Sequence, residues 1–194
     1  MIKQLVLVCW LSFLTAGFAQ SGADNYRVYN SFEEALEAHP DSVFYLDLSG
    51  ERLTELPKEV LTFKNLISLD LSRNKISTLP DSMEFLNLEV LNLTKNKLTV
   101  FPKAICAQTK LKQLFLGKNK LESLPPCISQ LQELVVLDAW FNLIAELPET
   151  MSEMRRLKSL DLRGMNYSEE QQKKWQAMMP WVKIEYDVGC DCGL

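Results

Sequence analysis

The chain has one histidine, His39, directly before Pro40. A lone imidazole at a helix end reads as a surface side chain, not a catalytic base. No Gly-rich phosphate loop, HExxH pair or GxSxG elbow occurs, and these are the arrangements that cradle phosphate, hold zinc or expose a serine nucleophile. Serines and acids are plentiful, but nothing in their order pairs a nucleophile with a base. The expectation is a non-enzymatic protein with no cofactor. A basic excess is also missing: 21 Lys and Arg stand against 25 Asp and Glu, a net charge of −4. Contacts to phosphate need a basic surface, so nucleic acid is not the expected partner, and neither is an anionic membrane surface. The one long apolar run, from Leu5 to about Phe18, falls short of the roughly 20 residues a spanning helix needs.

That run has a different meaning. Lys3 precedes it and the small residues Gly17 and Ala19 follow, the layout of a secretory signal peptide over residues 1–19. The expected mature chain begins near Gln20 and is secreted, periplasmic or displayed at the cell surface, with no stable membrane span. Losing Lys3 leaves 20 cations against 25 acids, a net charge of −5. Export allows disulfides. Cys106 and Cys127 fall on neighbouring repeats, and the spacing allows a bridge between them. Cys190 and Cys192 form a CDC pair, and two thiolates alone do not complete a zinc site, so no metal is expected. Two Asn-x-Ser/Thr sequons, at Asn92 and Asn166, are read as incidental.

Repetition dominates the rest. Leu46, Leu69, Leu91, Leu114, Leu137 and Leu160 are spaced 23, 22, 23, 23 and 23 apart, and Pro57, Pro80, Pro102, Pro125 and Pro148 keep the same step. Each unit reads LxxLxLxxNxLxxLPxxhxxLxx, most cleanly in LISLDLSRNKISTLPDSMEFLN. In this the chain resembles the leucine-rich repeat family over residues 43–167, in about six units. The resemblance implies an α/β solenoid, or horseshoe, with a parallel β-sheet on the concave face and short helical or irregular segments on the convex face. It also implies protein binding, and the helix-then-strand ending is similar to that of bacterial members.

The residues support the same architecture independently. The LxL of each unit alternates as a short strand, leucines inward. The LPxxhxxL half brings the chain back and buries Val60 with Phe63, Met83 with Leu86, Ile105, Ile128 with Leu131, and Met151 with Met154. No unit can bury its leucines alone, so neighbours must supply the cover. Asn74, Asn96, Asn119 and Asn142 end their strands, where an amide can pair backbone groups of the turn. Glu51 and Met165 replace the asparagine in the terminal units. Residues 20–42 hold a capping helix, opened by Ser31 and Glu34 as a capping box and stopping near Pro40. Residues 168–194 hold a second cap: a helix from about Ser168 with Trp175, Met178 and Met179 on its apolar face, a strand from Val182 to Tyr186, and a tail.

The outward strand positions form columns across the units. One runs Asp47, Asp70, Asn92, Phe115, Asp138, Asp161; beyond the strand, one runs Ser49, Ser72, Thr94, Gly117, Trp140, Arg163 and the next Gly50, Arg73, Lys95, Lys118, Phe141, Gly164. The stripe of Arg73, Lys95 and Lys118 beside the acids reads as solvated, mutually neutralising charge. Phe115, Val136, Trp140 and Phe141 break the polar character, with Val90 nearby, and together they have the composition of a binding hot spot. The candidate ligand surface is therefore Trp140, Phe115, Val136, Asp138 and Phe141, with Asn92, Asp70, Asp161, Lys95 and Lys118 around them. A competing reading starts from Ala139, where every other unit has leucine. The missing bulk invites an aromatic to turn inward, because a Leu-to-Ala cavity costs about 2–5 kcal/mol. On the alternation, Phe141 is the expected filler and Trp140 the residue on the concave face. The expected partner is a protein; a carbohydrate such as peptidoglycan, stacked on Trp140, is the alternative, and an assembly role is a third.

Overall fold

The computed structural model describes residues 27–187 apart from 84 and 86. The signal peptide, Leu86 and the CDC pair lie outside the described residues. Eight parallel strands hydrogen-bond in strict chain order into one open sheet. They are β1 Val28–Tyr29, β2 Tyr45–Asp47, β3 Ser68–Asp70, β4 Val90–Asn92, β5 Gln113–Phe115, β6 Val136–Asp138, β7 Ser159–Asp161 and β8 Lys183–Glu185. The register pairs like with like: Leu46, Leu69, Leu91, Leu114, Leu137 and Leu160 each lie opposite the next. Those leucines and the following Leu48, Leu71, Leu93, Leu116 and Leu162 are buried almost completely. The molecule is a solenoid with its sheet on the concave side.

Four of the five proline halves return as single 3₁₀ turns, Lys58–Thr62, Lys103–Ala107, Pro126–Gln130 and Glu149–Glu153. Each follows its proline, whose fixed φ suits the entry to such a turn. Val60, Phe63, Met83, Ile105, Ile128, Leu131, Met151 and Met154 face the core from this side. The Lys103–Ala107 coil has no second apolar anchor, and Gln108 fills that place. It is buried, its Nε2 donates to the Met83 carbonyl at 2.5 Å and to that of Ala104 at 3.4 Å, and its Oε1 has no partner. On the same side Cys106 is joined to Cys127, with a Cα–Cα distance of 5.8 Å.

Both ends are covered. Helix α1, Phe32–Glu37, is capped by Ser31, whose Oγ accepts from the Glu34 amide at 3.1 Å. The expected capping box is only half made: the Glu34 carboxylate accepts from Asn30 N and pairs with Arg27. The helix ends before His39, and Pro40–Ser42 forms a separate 3₁₀ turn. Strand β1 lies ahead of it as an extra strand that no repeat announces. At the other end α2, Glu169–Met178, carries a complete box, with Ser168 Oγ accepting from Gln171 N and Gln171 Oε1 accepting from Ser168 N. Trp175 and Met179 are fully buried against the last coil. Tyr167 stacks edge-on to Trp175 at 4.7 Å and donates to the Ile144 carbonyl at 2.6 Å, so the cap is bonded to the repeats and not merely laid on them. Among the described residues no helix is long and apolar enough to cross a membrane.

Candidate binding surface

The turn that follows each strand is set by two side chains. The four asparagines make the same three bonds in successive coils. Asn119 is typical: Nδ2 donates to the carbonyls of Leu93 at 3.0 Å and Leu116 at 2.8 Å, and Oδ1 accepts from Leu98 N at 3.0 Å. Asn74, Asn96 and Asn142 repeat the pattern one coil earlier or later. The second device is the acidic column. Asp47, Asp70 and Asp161 each accept the amide two residues on through Oδ1, and Asn92 does the same. Such local bonds hold the chain as it leaves the strand. Asp70, Asp161 and Asn92 thus shape the surface as turn residues. Asn92 is buried, its Nδ2 donating to Asp70 Oδ2 at 3.0 Å, which leaves no room for a glycan there. Asp161 is also clamped by Arg163, Nε to Oδ1 at 3.0 Å.

The residue just before each asparagine, or before Glu51 and Met165 in the end coils, is left-handed: Gly50 at φ 78°, Arg73 at 58°, Lys95 at 59°, Lys118 at 54°, Phe141 at 50° and Gly164 at 81°. This conformation favours glycine and is disfavoured by bulky residues. The glycines of the two end coils were the sequence signal for it. Here lies the correction to Phe141. The alternation of the strand ends at Asp138, and the left-handed residue three positions later throws its side chain outward. Phe141 is 55% exposed and does not fill the space beside Ala139, which is itself fully buried.

Trp140 is half-buried and Phe141 exposed, and each lies on a glycine of the coil on either side. A Cβ on Gly117 would stand 2.1 Å from Trp140 Nε1, and one on Gly164 would stand 2.4 Å from Phe141 Cδ2. The two rings meet edge to face at 5.4 Å, and Lys118 Nζ stands 4.8 Å from the Trp140 centroid and 5.6 Å from that of Phe141. Leu143, two residues on, is 60% exposed and extends the apolar patch; the sequence reading did not include it. Phe115 and Val136 are half-buried on adjacent strands of the same face, while Val90 is buried.

Asp138 sits under this cluster. Its Oδ1 is buried without a hydrogen-bond partner and would lie 2.8 Å from a Cβ on Gly117. Burial first, then the Asp161 carboxylate on the next strand, push its pKa up to about 7, against the pull of the Trp140 amide and Arg163. Near neutral pH it is therefore divided between acid and anion. Asp70 is also pushed up, mainly by burial.

Residues 42–98 match the family model of the leucine rich repeat, and the same coil, strand for strand and asparagine for asparagine, continues to Asp161. Its repeats are leucine-rich repeats. No curated protein sequence matches the chain. A solved leucine-rich repeat protein of Leptospira interrogans is 21% identical, with the match covering 75% of this chain and 55% of that one at a TM-score of 0.37. This chain thus spans little more than half the length of that protein. Leucine-rich repeats generally serve as scaffolds for binding proteins and typically carry no catalysis of their own.

Proposed function

We propose that this leucine-rich repeat chain is an exported binding module. Its sheet face and the adjoining loop edge engage a protein ligand, with Trp140 as the central anchor beside Phe115, Val136 and Phe141. One observation carries the reading. Two large aromatics stand side by side, each given its place by a glycine of the neighbouring coil, and an exposed leucine lies next to them. Phe141 is exposed while Ala139 is fully buried, so core packing does not account for that ring. Exposed apolar clusters ringed by charge are typical of interfaces. A sugar would stack on the indole face, and Lys118 already stands over that ring, which favours a protein.

The test is capture from the envelope or medium of the source cells with the mature chain, repeated with Trp140→Ala. Retention of a partner by the wild type and its loss with the variant, at unchanged unfolding midpoint, is the expected result. Equal capture by both would remove Trp140 from the site. Export is checked separately by the intact mass of natively produced protein, expected to begin near Gln20; a mass including Met1 would overturn it.

A further inference from the structure

The left-handed position and the position two residues later build a second feature beside the sheet. In three successive coils both are basic: Arg73 and Lys75, Lys95 and Lys97, Lys118 and Lys120. All six are exposed, and among the described residues none makes an ion pair or side-chain hydrogen bond through its charged group. Some cations elsewhere are paired, as Lys112 is with Glu89, Arg163 with Asp161 and Lys174 with Glu146, but nowhere else among the described residues do six unpaired ones stand in phase over three coils. Among the described residues no carboxylate of the acidic column is ion-paired with the ridge, and Asp47, Asp70 and Asp161 each turn Oδ1 to an amide of their own turn. In the fourth coil the same two positions are Phe141 and Leu143, and Lys118 reaches across to the aromatic rings. Ridge and apolar patch are one surface.

Folding does not ask for this. The left-handed position suits glycine, and a non-glycine residue there costs on the order of 1–3 kcal/mol. The end coils have glycine, while the three coils of the ridge hold Arg73, Lys95 and Lys118 in spite of that cost. The loop backbones are also bonded coil to coil, Arg73 N to Thr94 O, Lys95 N to Gly117 O and Lys118 N to Trp140 O, each at 2.8 Å. Hydrogen-bonded neighbours lie about 4.8 Å apart. The ridge therefore presents cations about every 5 Å and ends in an apolar step. That spacing is close to the 5.4 Å pitch of an α-helix and well short of the roughly 6.7 Å between same-face residues of a strand.

Deepening the binding reading above and resting on it, we infer that the partner offers an acidic amphipathic helix. Carboxylates one turn apart lie along the Arg73 to Lys120 ridge, and an apolar side chain on the following turn packs on Phe141 and Leu143. The net charge of −4 repels long polyanions and anionic bilayers as wholes, whereas a short acidic segment meets only the ridge. The probe is a fluorescein-labelled, alanine-based 16-residue peptide with Glu one per turn over three turns and Leu on the fourth, against a twin with Gln for each Glu. Binding is followed by anisotropy at two ionic strengths.

The Glu peptide is expected to bind at least ten times more tightly than the Gln peptide and to weaken at high salt. Lys95→Glu with Lys118→Glu should abolish that preference, and Leu143→Ala should weaken binding several-fold; circular dichroism checks that each variant is folded. Equal binding of the two peptides, or indifference to the charge reversals, would overturn the inference. So would binding of heparin or phosphatidylserine vesicles through the same lysines as tightly as the peptide. If the Gln peptide binds as well as the Glu peptide and loses affinity with Trp140→Ala, the aromatic site stands and the acidic helix alone is refuted.

Discussion

Gly117→Ala is the sharpest probe of how the aromatic patch is held. The glycine's backbone is not left-handed, so alanine is tolerated there by the chain itself. The obstacle is the indole, whose Nε1 would lie 2.1 Å and Cδ1 2.3 Å from the new methyl. No rotation of a methyl relieves such a contact, so Trp140 must swing off the surface. A tryptophan that gives up about 50–80 Å² of buried apolar area loses roughly 1–2 kcal/mol at 25 cal/mol per Å². Alanine recovers about 0.4–1 kcal/mol by narrowing the unfolded chain. The net expectation is a loss of about 1 kcal/mol, read as a shift of the urea midpoint at constant slope, with near-ultraviolet dichroism reporting the moved indole. In a Trp140→Ala background the main clash is gone. The milder approach to Asp138 Oδ1 at 2.8 Å is left, so the second substitution should cost clearly less than it does beside the indole. Such non-additivity marks direct contact. If Gly117→Ala destabilises equally with and without Trp140, the indole does not rest on Gly117.

Three further outcomes follow from the turns. Asn119→Ala takes a partner from two carbonyls and one amide in the buried ladder and should lower stability by about 1–3 kcal/mol in chemical denaturation; an unchanged midpoint would contradict the ladder's role. Lys95→Gly relieves a left-handed lysine while loosening the unfolded chain, and should leave stability unchanged or raise it by up to about 1 kcal/mol; a loss beyond 1 kcal/mol would mean the lysine side chain is structural. Asp138 is raised from 3.8 to about 7 in the fold, so between those values the unfolded chain releases a proton that the folded chain keeps. Stability should therefore fall as pH rises from about 4 to 7, and Asp138→Asn should flatten that part of the profile; an identical slope in the variant would place the titration elsewhere.

What could be read in advance was whatever the repeat imposes. A leucine every 23 residues has one way to be buried in a stack, and an asparagine in phase has one set of backbone groups to satisfy, so strands and ladder stood in the sequence. What escaped were features belonging to one coil. Strand β1 is two residues long and has no copy. Gln108 takes an apolar anchor's place through bonds to carbonyls a coil away. Phe141 was misjudged by carrying a two-residue alternation past the end of a three-residue strand. Gly50 and Gly164 already marked that column as left-handed, and Gly117 beside Trp140 already marked room for an indole. Leu143 went unnoticed because it lies outside the columns that define the sheet face, yet lysine in three preceding coils sets it apart.

The bond between Cys106 and Cys127 has a kinetic meaning. A stack whose units touch only their neighbours can unzip from either end, one coil after another. The bridge closes a loop that holds Phe115, Gly117 and Lys118, while Trp140 lies beyond Cys127, outside that loop. Unzipping that arrives from the C-terminal cap must halt there while the sulfurs are joined. A protease that cuts the enclosed loop releases nothing, because both fragments leave as one body. Reduction turns the same cut into a separation, so the coil on which Trp140 rests persists longest where thiols are kept oxidised.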